Sequence, residues 1–235
     1  MHKTQFIKPI KLGIKLLLGH LEHIQKGYSF SFAKPNSQTI SYNHKSKLTQ
    51  SLKPNKAKVH NLKLAIQSIE SIDILPGEIF SFWKIVGNPS KKNGFIGSRS
   101  IINGQVTNSI GGGLCQLSGL LYYLSLKSGL EILERHNHSM DIYTDETRFT
   151  PLGSDATVVY GYKDLKIRNN LTAPVKFSFQ IEEETITVEL NHIDILPKCE
   201  VSFVQIDESV SEVSIRTIVN NVAVSESSYR KLSCG

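Results

Sequence analysis

The sequence predicts an α+β fold in which one helix carries a cysteine and a mostly antiparallel sheet follows it. Three consecutive glycines precede Cys115, and apolar residues then recur at helical spacing until Gly129 ends the pattern. Short runs that alternate or are rich in β-branched residues come afterwards, separated by turn residues. This order favours one helix-mounted cysteine domain with a small β-rich C-terminal extension.

Each element follows from its local pattern. Helices are predicted over 6–26, 59–71 and 115–128. Strands are predicted over 130–136, 156–160, 164–168, 175–181 and 185–190, with two or three more within 199–232. The other segments are predicted as a strand or buried extended run at 79–83, a loop at 87–98, a short strand and turn at 101–110, and loops with short extended pieces over 27–58.

The predicted domain organisation has three parts. Residues 1–58 form a basic amphipathic helix and a linker, residues 59–192 a catalytic domain, and residues 193–235 the β-rich extension. A chain of 235 residues is long enough to bury a stable core without disulfides or metal.

Composition and charge narrow the class of protein. Hydrophobic residues make up 40% and charged residues 20%, which indicates a soluble globular chain rather than a fibrous or disordered one. The net charge of +6 is concentrated in residues 1–60, which hold 11 lysines against one acid, Glu22. Such a segment attracts anionic surfaces, but no recognition motif accompanies it, and we expect no specific nucleic-acid partner.

Residues 6–26 combine lysines with apolar residues at helical spacing. Two interpretations stay open: peripheral contact with a membrane surface, or packing on the domain. No run of about 20 apolar residues indicates a transmembrane helix, and no standard signal peptide is seen. The sequence thus predicts a cytoplasmic or membrane-peripheral protein.

The three cysteines, Cys115, Cys199 and Cys234, do not form a disulfide framework. Cys199 and Cys234 could pair with each other, which leaves Cys115 as a thiol. A helix start favours the reactive thiolate, and the amides of Gly112, Gly113 and Gln116 could form an oxyanion hole. The alternative is a buried structural cysteine behind a glycine turn.

A thiol nucleophile needs a base, and two histidines follow the helix. His136 and His138 would face the same side of an extended segment, and the acids that could orient one of them are Asp141, Asp155 and Asp164. A zinc site made by Cys115, His136 and His138 is the competing hypothesis. Because the usual paired zinc motifs are absent from the sequence, we expect no metal and no other cofactor.

Four short motifs occur in order: PGEIFSFW at 76–83, GGGLCQL at 111–117, ERHNHS at 134–139 and PLGSDAT at 151–157. As an ordered set they resemble the VanW family, over roughly residues 40–191. The family is named for an accessory protein of vancomycin B-type resistance clusters.

The resemblance implies a bacterial cell-envelope enzyme. Some family members are peptidoglycan L,D-transpeptidases that use the cysteine of this glycine motif. Cys115 would then attack the carbonyl after the third residue of a donor stem peptide, D-alanine would leave, and an acceptor amine would resolve the thioester. His138 matches the family histidine better than His136 does, and Arg135 would pair with a stem carboxylate or, structurally, with Glu134.

Three functions therefore stay open from the sequence. The first is a cysteine acyltransferase of the transpeptidase type that acts on peptidoglycan stem peptides or their precursors. The second is a thiol amidase or peptidase, in which water resolves the acyl-enzyme. The third is a non-catalytic accessory or binding module of the envelope or of glycopeptide resistance, whose glycine loop would cradle a carboxylate.

Overall fold

A computed structural model describes residues 3–35, 39–53, 55–102, 105–141, 148 and 150–231. The predicted α+β class is confirmed. The helices are α1 Lys3–Gln25, α2 Lys56–Glu70, α3 Phe82–Val86 and α4 Leu114–Lys127. The strands are β1 His44–Ser51, β2 Ile79–Ser81, β3 Gly97–Ile102, β4 Gln105–Ile110, β5 Glu131–Glu134, β6 Met140–Asp141, β7 Lys166–Arg168, β8 Val175–Ile181, β9 Thr185–His192, β10 Val201–Glu208, β11 Glu212–Val219 and β12 Val222–Lys231.

The strands form four small sheets, in the orders β1-β9-β8, β10-β11-β12-β6, β2-β7-β5 and β3-β4. Pairing is antiparallel in each of them except between β12 and β6, which run parallel. One main hydrophobic core lies between the helices and the β1-β9-β8 sheet. A smaller cluster belongs to the C-terminal strands.

Helix α4 is the buried centre of the molecule. It begins after Gly113, which adopts a left-handed conformation with φ of 103°, and its apolar side chains Leu117, Leu120, Leu121 and Leu124 are fully buried. Gly129, with φ of 73°, follows the last turn. The predicted span is confirmed, because leucines at helical spacing bury their stripe on the sheet while a glycine ends the helix at low steric cost.

Two segments differ from their predicted form. Residues 79–83 are a strand only as far as Ser81, whose side chain accepts a hydrogen bond from the Lys84 amide and so starts α3. Residues 156–160 form no ladder strand, and within them Val159 makes a single bridge to Lys163. The prediction of a strand there was wrong because this backbone is engaged by α4 and not by a neighbouring strand: Ser118 Oγ donates to the Ala156 carbonyl at 2.6 Å.

Two other segments hold more regular structure than their patterns indicated. Strand β1 lies inside the predicted linker and pairs along its full length with β9. Its sequence HKSKLTQS gave little strand signal, because β1 is an edge strand with one mostly polar face. Residues 97–102 and 105–110 pair as the antiparallel strands β3 and β4, in place of a loop end and one short strand. The division into three domains stays a prediction.

As far as Lys231, where its described part ends, the C-terminal extension contains three strands, in agreement with the prediction, and it is attached to the domain. Strand β12 continues its sheet onto β6 through the pairs of Arg230 with Met140 and of Lys231 with Asp141. Gly153 lies so close to this sheet that a Cβ there would be 2.8 Å from both Ile215 and Phe203. The extension therefore rests on the loop before Asp155.

In the part of the chain that the structure describes, no helix has both the length and the apolar character needed to cross a bilayer. Cys199 is buried. Cys234 lies outside the described residues, so its pairing with Cys199 stays a prediction.

We expect Gly153→Ala to lower the free energy of unfolding by about 2–4 kcal/mol, from backbone strain at φ of 99° plus the steric overlap with Phe203 and Ile215. Chemical denaturation measures this loss. Gly77→Ala is the control, because Gly77 has φ of 81° and a Cβ added to it would meet no atom within 4 Å; it should cost about 1 kcal/mol. Equal losses in the two variants would show that the close packing around Gly153 adds nothing to the free energy of unfolding.

Candidate active site

Cys115 is the second residue of α4 and is partly exposed. Its thiol donates to the carbonyl of Val158, with Sγ and O 3.8 Å apart. The glycines before it provide the tight turn into the helix, since Gly111 and Gly113 both have positive φ, which other residues adopt only with strain. The interpretation of Cys115 as a fully buried packing residue does not fit this exposure.

The glycine loop is held by Asn61 of α2, a residue that the sequence did not single out. Its fully buried amide donates to the carbonyls of Ile96 at 3.0 Å and Gly112 at 3.3 Å, and its oxygen accepts from the Ile96 amide at 3.0 Å. A buried side chain whose hydrogen bonds are satisfied resists movement. Asn61 therefore fixes the loop from which Cys115 projects.

The first-turn amides of α4 are the candidate oxyanion donors. The Gln116 amide donates to the Gly113 carbonyl at 3.0 Å, and the Gln116 side chain donates to the Ser51 carbonyl at 2.9 Å. Gln116 is therefore occupied, and its predicted place in an oxyanion hole is not supported. The Cys115 amide has no hydrogen-bond partner among the described residues, and the same holds for the amides of Gly112 and Gly113.

His138 and Asp155 form the second half of the site. The Nδ1 atom of His138 lies 2.5 Å from Oδ2 of Asp155, and the His138 amide donates to the same oxygen at 2.7 Å. The Asp155 backbone is in turn seated on α4, because its Cα lies 3.6 Å from a Cβ placed on Gly119. A glycine one turn after Cys115 thus sets how closely the acid approaches the helix.

The other carboxylate oxygen of Asp155 is satisfied from two directions. Oδ1 accepts from Nη2 of Arg135 at 2.9 Å and from the hydroxyl of Tyr229 at 2.5 Å. Arg135 also donates to the carbonyls of Asp155 and Gly153 and to the Ser227 hydroxyl. Both Tyr229 and Ser227 belong to β12, and the sequence did not single them out.

Arg135 differs from its predicted role. Its side chain is 6% exposed, its guanidinium donates to five oxygen atoms and it lies over the Tyr122 ring. Because the side chain is buried, it offers no open face to a stem carboxylate, and it pairs with Asp155 rather than with Glu134. Arg135 therefore binds the Asp155 carboxylate, which in turn bonds to His138.

The pKa values of the pair follow from this geometry. Burial raises the pKa of the Asp155 carboxyl, but the hydrogen bond from His138 and the charge of Arg135 outweigh it and lower this pKa to about 2. Burial likewise lowers the pKa of the His138 imidazole, but hydrogen bonds with Asp155 and Cys115 raise it to about 10. His138 is therefore an imidazolium at neutral pH, bonded to the Asp155 carboxylate and near enough to Cys115 for that residue to raise its pKa.

The remaining candidate residues lie in other networks. The His136 ring bonds to Oε1 of Glu134 at 2.9 Å, so the two histidines do not share one partner. Asp164 accepts from the Ser81 hydroxyl at 2.6 Å and from the Trp83 amide at 3.1 Å, and burial raises its pKa to about 6. Asp141 pairs with Arg148. Of the three acids considered, it is Asp155 that contacts His138.

Among the described residues, no group of three or more His, Cys, Asp or Glu side chains is arranged to hold a metal ion. The predicted zinc alternative needed Cys115, His136 and His138 together, and His136 is turned toward Glu134.

Lys58 is a cation beside the glycine loop. Its Cγ atom lies 2.8 Å from the position of a Cβ on Gly113, so the side chain passes directly over the residue that starts the cysteine helix. Burial lowers the pKa of Lys58. No carboxylate of the described chain pairs with it.

The family model described as VanW like protein matches residues 57–191, which is more than half of the chain. The chain belongs to the VanW-like family. The resemblance seen in the sequence motifs is thereby confirmed. Cys115, His138 and Asp155 lie inside the matched range, whereas Ser227 and Tyr229 lie beyond it.

Two relatives extend this result. The Vancomycin B-type resistance protein VanW of Enterococcus faecalis (strain ATCC 700802 / V583) is 34% identical over 145 residues, covering 62% of this chain and 52% of that protein. The Uncharacterized protein YoaR of Bacillus subtilis (strain 168) is 31% identical over 121 residues, covering 52% of this chain and 38% of that protein. This VanW-like chain thus spans about half the length of the first relative and less of the second. No solved structure matches the chain significantly.

We expect Arg135→Lys to lower the free energy of unfolding by about 3 kcal/mol, because lysine cannot replace the guanidinium and the largely buried Asp155 carboxylate loses part of its compensation. Thermal or chemical denaturation measures the loss. Arg216→Lys is the matched control, since Arg216 and Glu226 form an exposed pair, and it should change stability by less than about 0.5 kcal/mol. Similar effects of the two substitutions would contradict the supporting role of Arg135.

We expect His138 to stay protonated through neutral pH and to lose its proton near pH 10. Because this pKa lies above the ordinary value of 6.5, the interaction stabilises the folded protein fully below pH 6.5, and the contribution disappears as the pH rises through about 10. In Asp155→Asn, the pKa of His138 should fall toward its ordinary value of about 6.5.

An NMR titration of the His138 ring tests this expectation. Asp164→Asn is the control, because it removes a different carboxylate that does not contact His138. An unchanged titration in Asp155→Asn, or the same change in both variants, would show that Asp155 does not set the charge of His138.

Proposed function

We propose that this chain is a cysteine acyltransferase of the L,D-transpeptidase type that acts on peptidoglycan stem peptides or their precursors. The observation that supports it best is the His138–Asp155 pair, with Nδ1 and Oδ2 2.5 Å apart, beside Cys115, which helps to raise the pKa of His138. A nucleophile, an imidazole and an orienting carboxylate are the parts that acyl transfer through a covalent intermediate requires.

The first half-reaction forms the acyl-enzyme. The Cys115 thiol gives up its proton to water, because His138 already carries one, and the sulfur then attacks the carbonyl carbon after the third residue of the donor stem. A carbon–sulfur bond forms, the carbon–nitrogen bond to the terminal D-alanine breaks, and His138 gives its proton to the departing amine. A histidine that is protonated at neutral pH is suited to this acid step.

The second half-reaction transfers the acyl group. The amine of an acceptor stem attacks the thioester, the new carbon–nitrogen bond forms, and the carbon–sulfur bond breaks. His138 takes the proton released by the amine, which returns the thiolate and the imidazolium. Asp155 keeps the Nδ1 side of the ring engaged in both steps, so that the opposite nitrogen faces the reacting atoms.

The tetrahedral intermediate places a negative oxygen near the start of α4. The Cys115 amide and the amides of Gly112 and Gly113 are the donors suited to it, because they have no partner in the described chain. Lys58 adds a positive charge at the same loop and suits a substrate with a carboxylate, as stem peptides have. Lys58 therefore replaces Arg135 as the residue proposed to bind that carboxylate.

The proposal predicts a thioester and a crosslinked product. Purified protein, a disaccharide tetrapeptide donor and an acceptor stem with a free amine should give a crosslinked dimer and free D-alanine, followed by mass spectrometry. Cys115→Ala should abolish both products while the fold persists. His138→Ala should lower the rate by about a hundredfold or more.

Cys199→Ala is the control, because Cys199 is buried and lies in none of these contacts; it should keep full activity. Active Cys115→Ala protein would refute the proposal. A hydrolysed stem without dimer would show the thiol amidase instead. A donor that binds but yields neither thioester nor product would show the binding module of the cell envelope.

A further inference from the structure

Helix α1 has two apolar faces that lie on opposite sides of its axis. One face meets the domain: Leu12 contacts Gly161, where a Cβ would be 2.3 Å from the leucine, and the His23 ring packs on Phe32 with centroids 4.9 Å apart. The other face points away from the domain and is formed by Ile10, Ile14, Leu17, Leu21 and Ile24.

These five residues, the outer stripe, recur at intervals of four and three positions, so they align along one side of the helix. Their side chains are between 46% and 62% exposed. A continuous row of exposed large aliphatic residues is unfavourable in water and marks an interaction surface.

The charges of α1 restrict what this surface binds. Lys11 and Lys15 are exposed and follow the same flank of the outer stripe. The single acid of the helix, Glu22, is already bonded to Lys26 at 2.6 Å. No carboxylate of the helix is left to pair with Lys11 or Lys15, so an anionic partner would complement them.

We propose that α1 lies flat on an anionic lipid surface, with the outer stripe among the acyl chains and the lysines at the headgroups. A helix with a polar basic flank and an aliphatic face is suited to this position, and anionic headgroups attract each nearby lysine. A second copy of the chain fits less well, because pairing through the outer stripe would bring lysines together without acids between them.

The position of the helix relative to the site adds a consequence. The segment from Ala156 to Lys163 includes Val158, which accepts from the Cys115 thiol, and Gly161, against which Leu12 packs. A lipid-bound α1 thus holds the candidate active site at a fixed height above the headgroups. The lipid contact itself rests on α1 alone and does not depend on the proposed chemistry.

Vesicle co-sedimentation of the full chain tests this proposal. We expect binding to vesicles of one part phosphatidylglycerol to two parts phosphatidylcholine, weaker binding at high salt, and little binding to phosphatidylcholine alone. Leu17→Ser with Leu21→Ser should weaken binding by about tenfold or more, because both residues leave the apolar face. Lys11→Gln with Lys15→Gln should weaken binding and remove most of its salt dependence.

The matched control is Val222→Ser with Val224→Ser, which changes two equally exposed aliphatic residues on β12 and should bind as the parent does. Circular dichroism of every variant shows whether α1 remains helical.

No binding to the anionic vesicles, or equal binding by the parent and the Leu17 and Leu21 variant, would overturn the proposal. So would a concentration-dependent dimer that the same variant abolishes, because the occupant would then be a second copy. Cys115→Ala should bind vesicles like the parent, so failure of the chemistry and failure of the lipid contact are distinguishable.

Discussion

The Asp155 carboxylate joins three segments that are far apart in the sequence. Its two oxygens accept from His138, from Arg135 and from Tyr229, and its backbone rests on α4 at Gly119. A carboxylate removed from water is stable only when such donors compensate for its lost hydration. The relative positions of the helix, the histidine segment and the last strand all depend on this compensation.

The arrangement also explains why so polar a cluster persists next to a leucine-rich helix. Arg135 donates hydrogen bonds to five oxygen atoms of the cluster, and the planar face of its guanidinium covers the Tyr122 ring. The resulting network leaves few alternative conformations to His138. The rigid position of the His138 imidazole near the partly exposed Cys115 thiol therefore depends on the surrounding fold as well as on these two residues.

The sequence predicted those parts of the molecule whose signals are local. The leucine stripe of α4 and its glycine start were readable because helix periodicity and left-handed turns depend on neighbouring residues. The thiol and both histidines followed from short motifs. Asp155 could be named only with two rival acids, because which carboxylate meets an imidazole depends on how the backbone folds back over Gly119.

The contributions of distant elements were not predictable. Tyr229 is 74 positions from Asp155, and its alternating neighbours indicated a strand without saying what the strand would touch. Strand β1 has too few apolar residues to be predicted as a strand from its sequence. Its partner β9 supplies most of the buried surface of the pair. Residues 156–160 have a strand-like composition, but their backbone is bonded by Ser118 of α4 instead of by a neighbouring strand.

The 74 positions that separate Tyr229 from Asp155 have a consequence for biosynthesis. A ribosome releases the glycine loop, the nucleophile helix, the histidine and the acid long before it releases β12. Until that strand docks, the Asp155 carboxylate lacks its phenol donor and Arg135 lacks two of its acceptors. The order of synthesis therefore keeps the thiol in an incompletely organised environment until β12 has been made.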